Sequence, residues 1–407
     1  MTSLVRRLCL ALSALFLIAA PVRAAERAPV ILISIDGFRA DYALRGLTPT
    51  LAALATEGAW AREGMRPSFP VNTFPNHYTL VTGLRPDQHG ITDNTLFDEA
   101  RPGVKFNMYA RDQVEDRFWW DGGEPVWVTA ERAGVKTATM FWPGSEAPVR
   151  GVRPTTWFPY QESLPAFDRV DRLLGWLDLP KADQPRFMTL YFEAVDTIGH
   201  RMGPDSPELN AALVETDAAL ARLVAGLRAR GLYGRVNLIV VADHGMAPVA
   251  RERSVFLDDL VPGGGVRSIT LGSVAGLIAE TPAAEAAIVG KHDHVECWLK
   301  ADLPARFRYG THPRIPPIIC LSETGWALTT RESFARSAGT KRAGAHGFDP
   351  EAVEMRALFI AHGPAFRPGV TLPVFDNVSV YPLLMRLLGL TPQPNDGALK
   401  DTGPALK

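Results

Sequence analysis

Asp36, Asp196, His200, Asp243, His244 and His346 are the residues whose types and places in this sequence could do chemistry. Each stands beside an apolar run: Asp36 after residues 29–35 (PVILISI), Asp196 and His200 (Asp196-Thr-Ile-Gly-His200) after 187–192, Asp243 and His244 after 236–241, and His346 (Gly344-Ala-His346-Gly347) before 357–361. Carboxylate oxygens and imidazole nitrogens together suit zinc. Six protein ligands plus one hydroxyl are too many for one tetrahedral ion, so the set divides into two metals of about three or four ligands each. Each piece alone is weak, because a strand-terminal aspartate is ordinarily a cap or turn residue. Their repeated placement at the ends of apolar runs carries the metal reading. His77, His89, His292, His294, His312 and His362 lack that context and read as structural or solvent-facing, with His89 ordering a turn.

The hydroxyl comes from Thr73, in Ser68-Phe-Pro-Val-Asn-Thr73-Phe-Pro-Asn-His77. Pro75 is a good first-turn residue, and the stretch to Val81 can be helical. Thr73 then sits at a helix N-terminus, where free N–H groups and the positive end of the dipole favour an anion. A cap threonine is the ordinary reading of such a position. The reading with chemistry is a nucleophile, since a metal ion bound to the hydroxyl can displace its proton without a histidine base.

The elements that must position these residues read as an alternation of strands and helices. Residues 29–35 form a nearly continuous β-branched run, as a fully buried parallel strand does. Further strand-like runs occur at 137–141, 187–192, 236–241 and 357–361, with helical spacing at 48–60, 168–177 and 209–228. This rhythm predicts an α/β fold, a doubly wound, mostly parallel sheet with helices on both faces. Sites in such sheets form at the carboxyl ends of the strands, which is where the six ligands stand. Residues 25–407 read as one domain, with a small inserted lobe over about 264–341 where the rhythm weakens.

The chain has 407 residues, 46% hydrophobic and 21% charged, which excludes disorder or coiled coil as its main state. A net charge of −1 with no basic tract does not suit a protein that coats nucleic acid. Phosphate chemistry in such a chain needs metal ions for local positive charge. Arg6 and Arg7, a 13-residue apolar run from Leu8 to Ala20 and the small residues at Ala24 and Ala25 read as a signal peptide over 1–24. Thirteen residues are short of the ~20 needed to span a bilayer, so the expectation is an exported protein, periplasmic in a Gram-negative source, with no stable membrane span. Export would leave Cys297 and Cys320 in an oxidising compartment, where they pair or remain as buried thiols.

Together, Asp36-Gly37, Thr73-Phe-Pro-Asn76, Asp196…His200, Asp243-His244-Gly245 and Gly344-Ala-His346-Gly347 resemble the nucleotide pyrophosphatase/phosphodiesterases of the alkaline phosphatase superfamily, bacterial type. The similarity runs over nearly the whole chain after the leader, including 298–326 and 355–366. It implies an alkaline-phosphatase-like fold and two zinc ions, one held by Asp196, His200 and His346, the other by Asp36, Asp243, His244 and the Thr73 hydroxyl. It further implies that Thr73 is the nucleophile, forming a phospho-threonine intermediate. A nucleoside triphosphate would yield a monophosphate and pyrophosphate. Asn94 would bind a non-bridging phosphate oxygen with help from the backbone N–H of Phe74. Phe74 and Tyr191 would clamp the base, with Tyr160 as a further ring.

Four other functions remain open. A choline- or lipid-phosphodiesterase would also use aromatic rings and would add acidic residues. A phosphomonoesterase needs an extra cation over the phosphate, for which Arg39 and Arg66 are the candidates. A sulfatase needs Cys or Ser in a Cys/Ser-x-Pro-x-Arg motif, and Thr73-Phe-Pro-Asn-His77 matches only its proline. A non-catalytic zinc-binding protein would have no use for Thr73. The expected partner is a small-molecule phosphodiester rather than a nucleic acid polymer.

Overall fold

The protein is described here by a computed structural model covering residues 27–339 and 342–407. The expected signal peptide lies outside the described residues. The strand Val30–Ile35 has all six residues buried and pairs in parallel with both Phe187–Phe192 and Asn237–Val241. A strand with neighbours on both edges and helices on both faces has no wet side, which accounts for its unbroken apolar run.

The eight-stranded sheet runs in the order Val370–Leu372, Ala59–Ala61, Phe359–His362, Asn237–Val241, Val30–Ile35, Phe187–Phe192, Thr137–Met140, Thr156–Trp157. All its ladders are parallel except the two made by Phe359–His362. One group of helices packs around Pro207–Ala229 and a second around Val380–Leu388, covering the two faces.

Helical spacing over 48–60 overshoots the element. The helix is Pro49–Glu57, and Ala59–Ala61 is already a strand. Gly58 makes the change of structure because the neighbouring strand passes too close for a side chain: a Cβ there would lie 2.1 Å from the Ala361 carbonyl oxygen.

A second, five-stranded antiparallel sheet has the order Val266–Thr270, Val274–Ala279, Ile318–Ser322, Val295–Leu299, Gly290–His292. Cys297 and Cys320 lie opposite each other in adjacent strands and form a disulfide. The turn at 271–273 brings this sheet to the carboxyl edge of the main one, where the Ser273 hydroxyl donates to the His346 carbonyl. Among the described residues, no helix is long and apolar enough to cross a membrane.

Candidate active site

Asp36 is the first residue beyond the Val30–Ile35 strand. The Asp36-Gly37 pair is required locally. Gly37 has φ +66°, and a Cβ there would lie 2.9 Å from the Cβ of Asp196. Its N–H donates to Oδ1 of Asp243 at 3.2 Å. Asp196 lies in the first turn of the helix Ala194–Met202, and His200, one turn on, shares its face. Asp243 and His244 follow the strand Asn237–Val241. His346 precedes its strand because Phe359–His362 runs antiparallel, so the chain enters that strand at the edge where the others end. Pairing of Gly344–Ala345 with Ala247–Pro248 then lays the His346 ring on that of His244, 3.6 Å between centroids.

The six side chains form two groups, Asp36/Asp243/His244 and Asp196/His200/His346, with one donor atom from each residue of a group within 4.8 Å of the others. The Nδ1 atoms of His200, His244 and His346 lie 2.9, 3.0 and 2.8 Å from the backbone carbonyls of Gly344, Gly245 and Val71. A carbonyl only accepts, so Nδ1 carries the proton and Nε2 presents a lone pair to the site. Asp36 Oδ1, Asp196 Oδ1 and Asp243 Oδ2 are buried without a hydrogen-bond partner, which is costly for a carboxylate unless a cation meets it.

Burial, then the charges of Asp243 and Asp196, push the Asp36 pKa well above the carboxylate range. Burial opposes charging His244, but the Asp243 carboxylate, 2.9 Å from Nε2, outweighs it and raises that pKa. A positive charge is wanted here, and the donor set fits divalent cations of the zinc type.

Thr73 opens the helix Thr73–Thr82 and is almost fully buried. Its Oγ1 lies 3.3 Å from Nε2 of His244, at the edge of the first group. His77, one turn along the same helix, places Nδ1 2.9 Å from the Thr73 carbonyl and 3.4 Å from Oδ2 of Asp243, with Nε2 2.8 Å from the Ser34 hydroxyl. It therefore steadies the turn that carries Thr73 and lies against the Asp243 carboxylate. Its spacing of four from Thr73 was the signal for it.

The Phe74 N–H donates to Oδ1 of Asn94 at 2.8 Å and so braces that side chain. Among the described residues, Asn94 Nδ2 has no hydrogen-bond partner.

Two cavities meet at Thr73, Met108, Tyr109 and Asp196. The first, about 190 Å³, brings together the expected rings Phe74, Tyr160 and Tyr191, with Phe141 and Trp142. The carboxylates Glu146, Glu162 and Glu193 also line it. Glu193 is held by buried Arg169 at 2.9 Å, and Glu146 accepts from the Tyr160 N–H at 3.1 Å. The second cavity, about 290 Å³, is polar and lined by Asn94, His200, Ser273, Arg342 and His346 among others. Tyr109 and Arg342 escaped sequence reasoning because both sit in loops without periodicity. Arg39 pairs with Asp41 at 2.6 Å, and Arg66 with Asp376 and Glu351 at 2.6 and 2.9 Å. Neither lines either cavity.

Residues 30–349 match the family model for type I phosphodiesterase / nucleotide pyrophosphatase. A pyrophosphatase/phosphodiesterase of Schizosaccharomyces pombe is 38% identical over 92% of this chain and 80% of its own length. The venom phosphodiesterase of Macrovipera lebetinus is 38% identical over 91% of this chain, which spans only 44% of that relative's length. Human ectonucleotide pyrophosphatase/phosphodiesterase family member 1 is 36% identical over 91% of this chain, which spans 41% of it. The structure of human ectonucleotide pyrophosphatase/phosphodiesterase 5 superimposes with TM-score 0.87 at 32% identity, covering 93% of this chain and 100% of the other. An inactive murine form of the same protein, solved in complex with AMP, superimposes with TM-score 0.87 at 31% identity and the same coverage.

Proposed function

The chain belongs to the type I phosphodiesterase / nucleotide pyrophosphatase family of enzymes, and we propose that it hydrolyses nucleotide phosphodiester and pyrophosphate bonds with two zinc ions and Thr73 as nucleophile. The observation that carries this reading is the Thr73 hydroxyl, 3.3 Å from His244 Nε2 beside three carboxylate oxygens buried without partners.

Asp36, Asp243 and His244 would hold one ion, and Asp196, His200 and His346 the other. Bound zinc would supply positive charge that lowers the hydroxyl's pKa and offsets charge building on phosphorus-bound oxygens. Thr73 Oγ gives its proton to solvent and attacks phosphorus. The Oγ–P bond forms, and the bond to the departing oxygen breaks, its electron pair leaving with that oxygen. Water then cleaves the phospho-threonine ester, and Oγ regains a proton. Asn94 Nδ2 donates to a non-bridging oxygen, held in place by the Phe74 N–H. Phe74, Tyr160 and Tyr191 stack the nucleoside half, with little dependence on which base it carries. The leader-like composition of residues 1–24 supports an exported, periplasmic protein.

The carboxylates of Glu146 and Glu162 beside the rings favour one second reading, a choline-phosphodiester head group held by cation–π contacts and acidic charge. A substrate panel with metal quantification decides between them: ATP, a dinucleotide, a nucleotide sugar, glycerophosphocholine and a phosphomonoester. Faster turnover of the nucleotide diesters, with two zinc ions per chain, is expected. Preference for glycerophosphocholine would move the assignment to the second reading, and preference for the monoester would overturn both.

A further inference from the structure

We propose that Arg169 is a positioning residue for the nucleoside half of the substrate: without touching the substrate, it holds the wall that carries Tyr160 and Tyr191 in the shape that takes the base. The inference rests on the phosphodiesterase reading above and adds a residue to that same site.

Arg169 is the fourth residue of the helix Ala166–Leu177 and is 1% exposed. A cation there is costly on two counts. It sits near the positive end of the helix dipole, and its charge is out of water. Neither helix formation nor core packing calls for it. The guanidinium does, however, have a partner for every donor. Nε donates to the Leu164 carbonyl at 2.9 Å, Nη1 to the Tyr191 carbonyl at 2.8 Å and to Glu193 Oε2, and Nη2 to the Glu162 carbonyl at 3.3 Å and to Glu193 Oε1 at 2.9 Å. All five N–H groups of the fork are thereby engaged.

The acceptors lie on two segments of the cavity wall. Tyr191 belongs to the carboxyl end of the strand Phe187–Phe192, and Glu193 follows it. Glu162 and Leu164 belong to the irregular segment between the strand Thr156–Trp157 and the helix Ala166–Leu177, and Tyr160 lies in the same segment. Such a segment has neither ladder nor helix to fix it. The guanidinium also lies 5.3 Å from the centroid of the Phe141 ring and 6.0 Å from that of Tyr160, within cation–π range. The three rings pack edge to face, Phe141 on Tyr160 at 5.3 Å and Tyr160 on Tyr191 at 5.9 Å between centroids. Phe141, Tyr160, Tyr191, Glu162 and Glu193 line the aromatic cavity, and Arg169 does not, so it acts on the cavity from behind. A lysine would keep the charge but not the planar fork, and could not hold both segments at once.

The test uses the zinc-loaded enzyme and two diesters with the same departing p-nitrophenolate: the p-nitrophenyl ester of thymidine 5′-monophosphate, and methyl p-nitrophenyl phosphate, which has no nucleoside. Wild type should favour the thymidine ester. Arg169→Lys is expected to lower kcat/KM for that ester about 10-fold, chiefly through KM, while moving the methyl ester less than about 2-fold. Inhibition gives a second readout: thymidine monophosphate should bind the variant about 10-fold more weakly, and inorganic phosphate equally well. Arg169→Met should resemble Arg169→Lys, because the fork rather than the charge is what both lack. Arg169→Met leaves the Glu193 carboxylate unpaired, so its combination with Glu193→Gln supplies a form without that charge. An equal fall for both esters, an unchanged KM for the thymidine ester, or no wild-type preference for that ester overturns the inference and leaves the phosphodiesterase reading standing. If none of these variants folds, Arg169 serves the fold alone and the inference falls as well. Wild-type protein that hydrolyses neither ester would sink that reading and this inference together.

Discussion

The phenol of Tyr191 donates a 2.6 Å hydrogen bond to Oδ2 of Asp36, so a single side chain joins the aromatic cavity to the carboxylate beside Thr73. Tyr191→Phe separates the two roles. A hydrogen bond to a charged group contributes about 1.5–3 kcal/mol, so kcat should fall roughly 10- to 100-fold while the ring keeps KM nearly unchanged. Tyr191→Ala should raise KM as well, by about 10-fold or more for the lost stacking. Steady-state kinetics on one nucleotide diester separates the two. Equal KM values for the Phe and Ala variants would take Tyr191 out of the substrate cavity.

Thr73→Ala should cut turnover by several decades, roughly the cost of losing a nucleophile from a preorganised site. Thr73 contributes one oxygen at the edge of a group that keeps Asp36, Asp243 and His244, so zinc content should hardly change. Quenching wild-type enzyme in mid-turnover with a radiolabelled α-phosphate should trap label on residue 73. Full activity in the Ala variant, or label on another residue, removes the assignment.

His346→Gln removes an Nε2 lone pair from the Asp196/His200/His346 group. Loss of about one metal per chain is expected, with retention of the ion at Asp36/Asp243/His244. Chelation of wild-type enzyme should abolish activity and lower Tm, since ions bound only to the folded state stabilise it by mass action. Returning zinc should restore both. Unchanged stoichiometry in the His346 variant would break the proposed ligand set.

That Asp36, Asp196, His200, Asp243, His244 and His346 gather into two groups could be read from the chain because buried strands leave apolar runs and the residues just past their ends stand out. Asp36 after Val30–Ile35 and Asp243 after Asn237–Val241 are of this kind. His346 needed its motif, because the reason it stands before a strand, the antiparallel course of Phe359–His362, is a property of pairing that no local pattern records. The strand Val266–Thr270 in the second sheet is short and partly exposed, which is why the rhythm weakens there. Arg342 and Tyr109 carry no periodic signal, and only the folded chain shows that both line the polar cavity beside Thr73. The hydrogen bond from the Phe74 N–H to Asn94 joins positions separated by the rest of the helix Thr73–Thr82 and the short helix Pro86–His89, a closure that no local pattern records.

His89 ties the protein's acid stability to a buried imidazole. It is completely buried, its Nδ1 accepts from the Ile91 N–H at 3.2 Å, and its Nε2 faces the Thr79 hydroxyl at 3.1 Å. An Nδ1 that accepts cannot also hold a proton, so the native ring is neutral, and burial above all pushes its pKa down to about 3. An unfolded histidine titrates near ~6.5. Between those values the unfolded chain binds a proton that the native state does not, so stability is full above about pH 6.5 and falls as pH drops towards about 3. At about pH 4.5 the loss from this residue is roughly 2–3 kcal/mol. His89→Gln lowers stability at neutral pH by removing packed atoms, yet it should lose less than wild type between about pH 7 and pH 4.5, by about that amount. Urea unfolding of both proteins at the two pH values gives the comparison. Equal losses would mean that the ring is charged in the native state, against the hydrogen bond it accepts from Ile91.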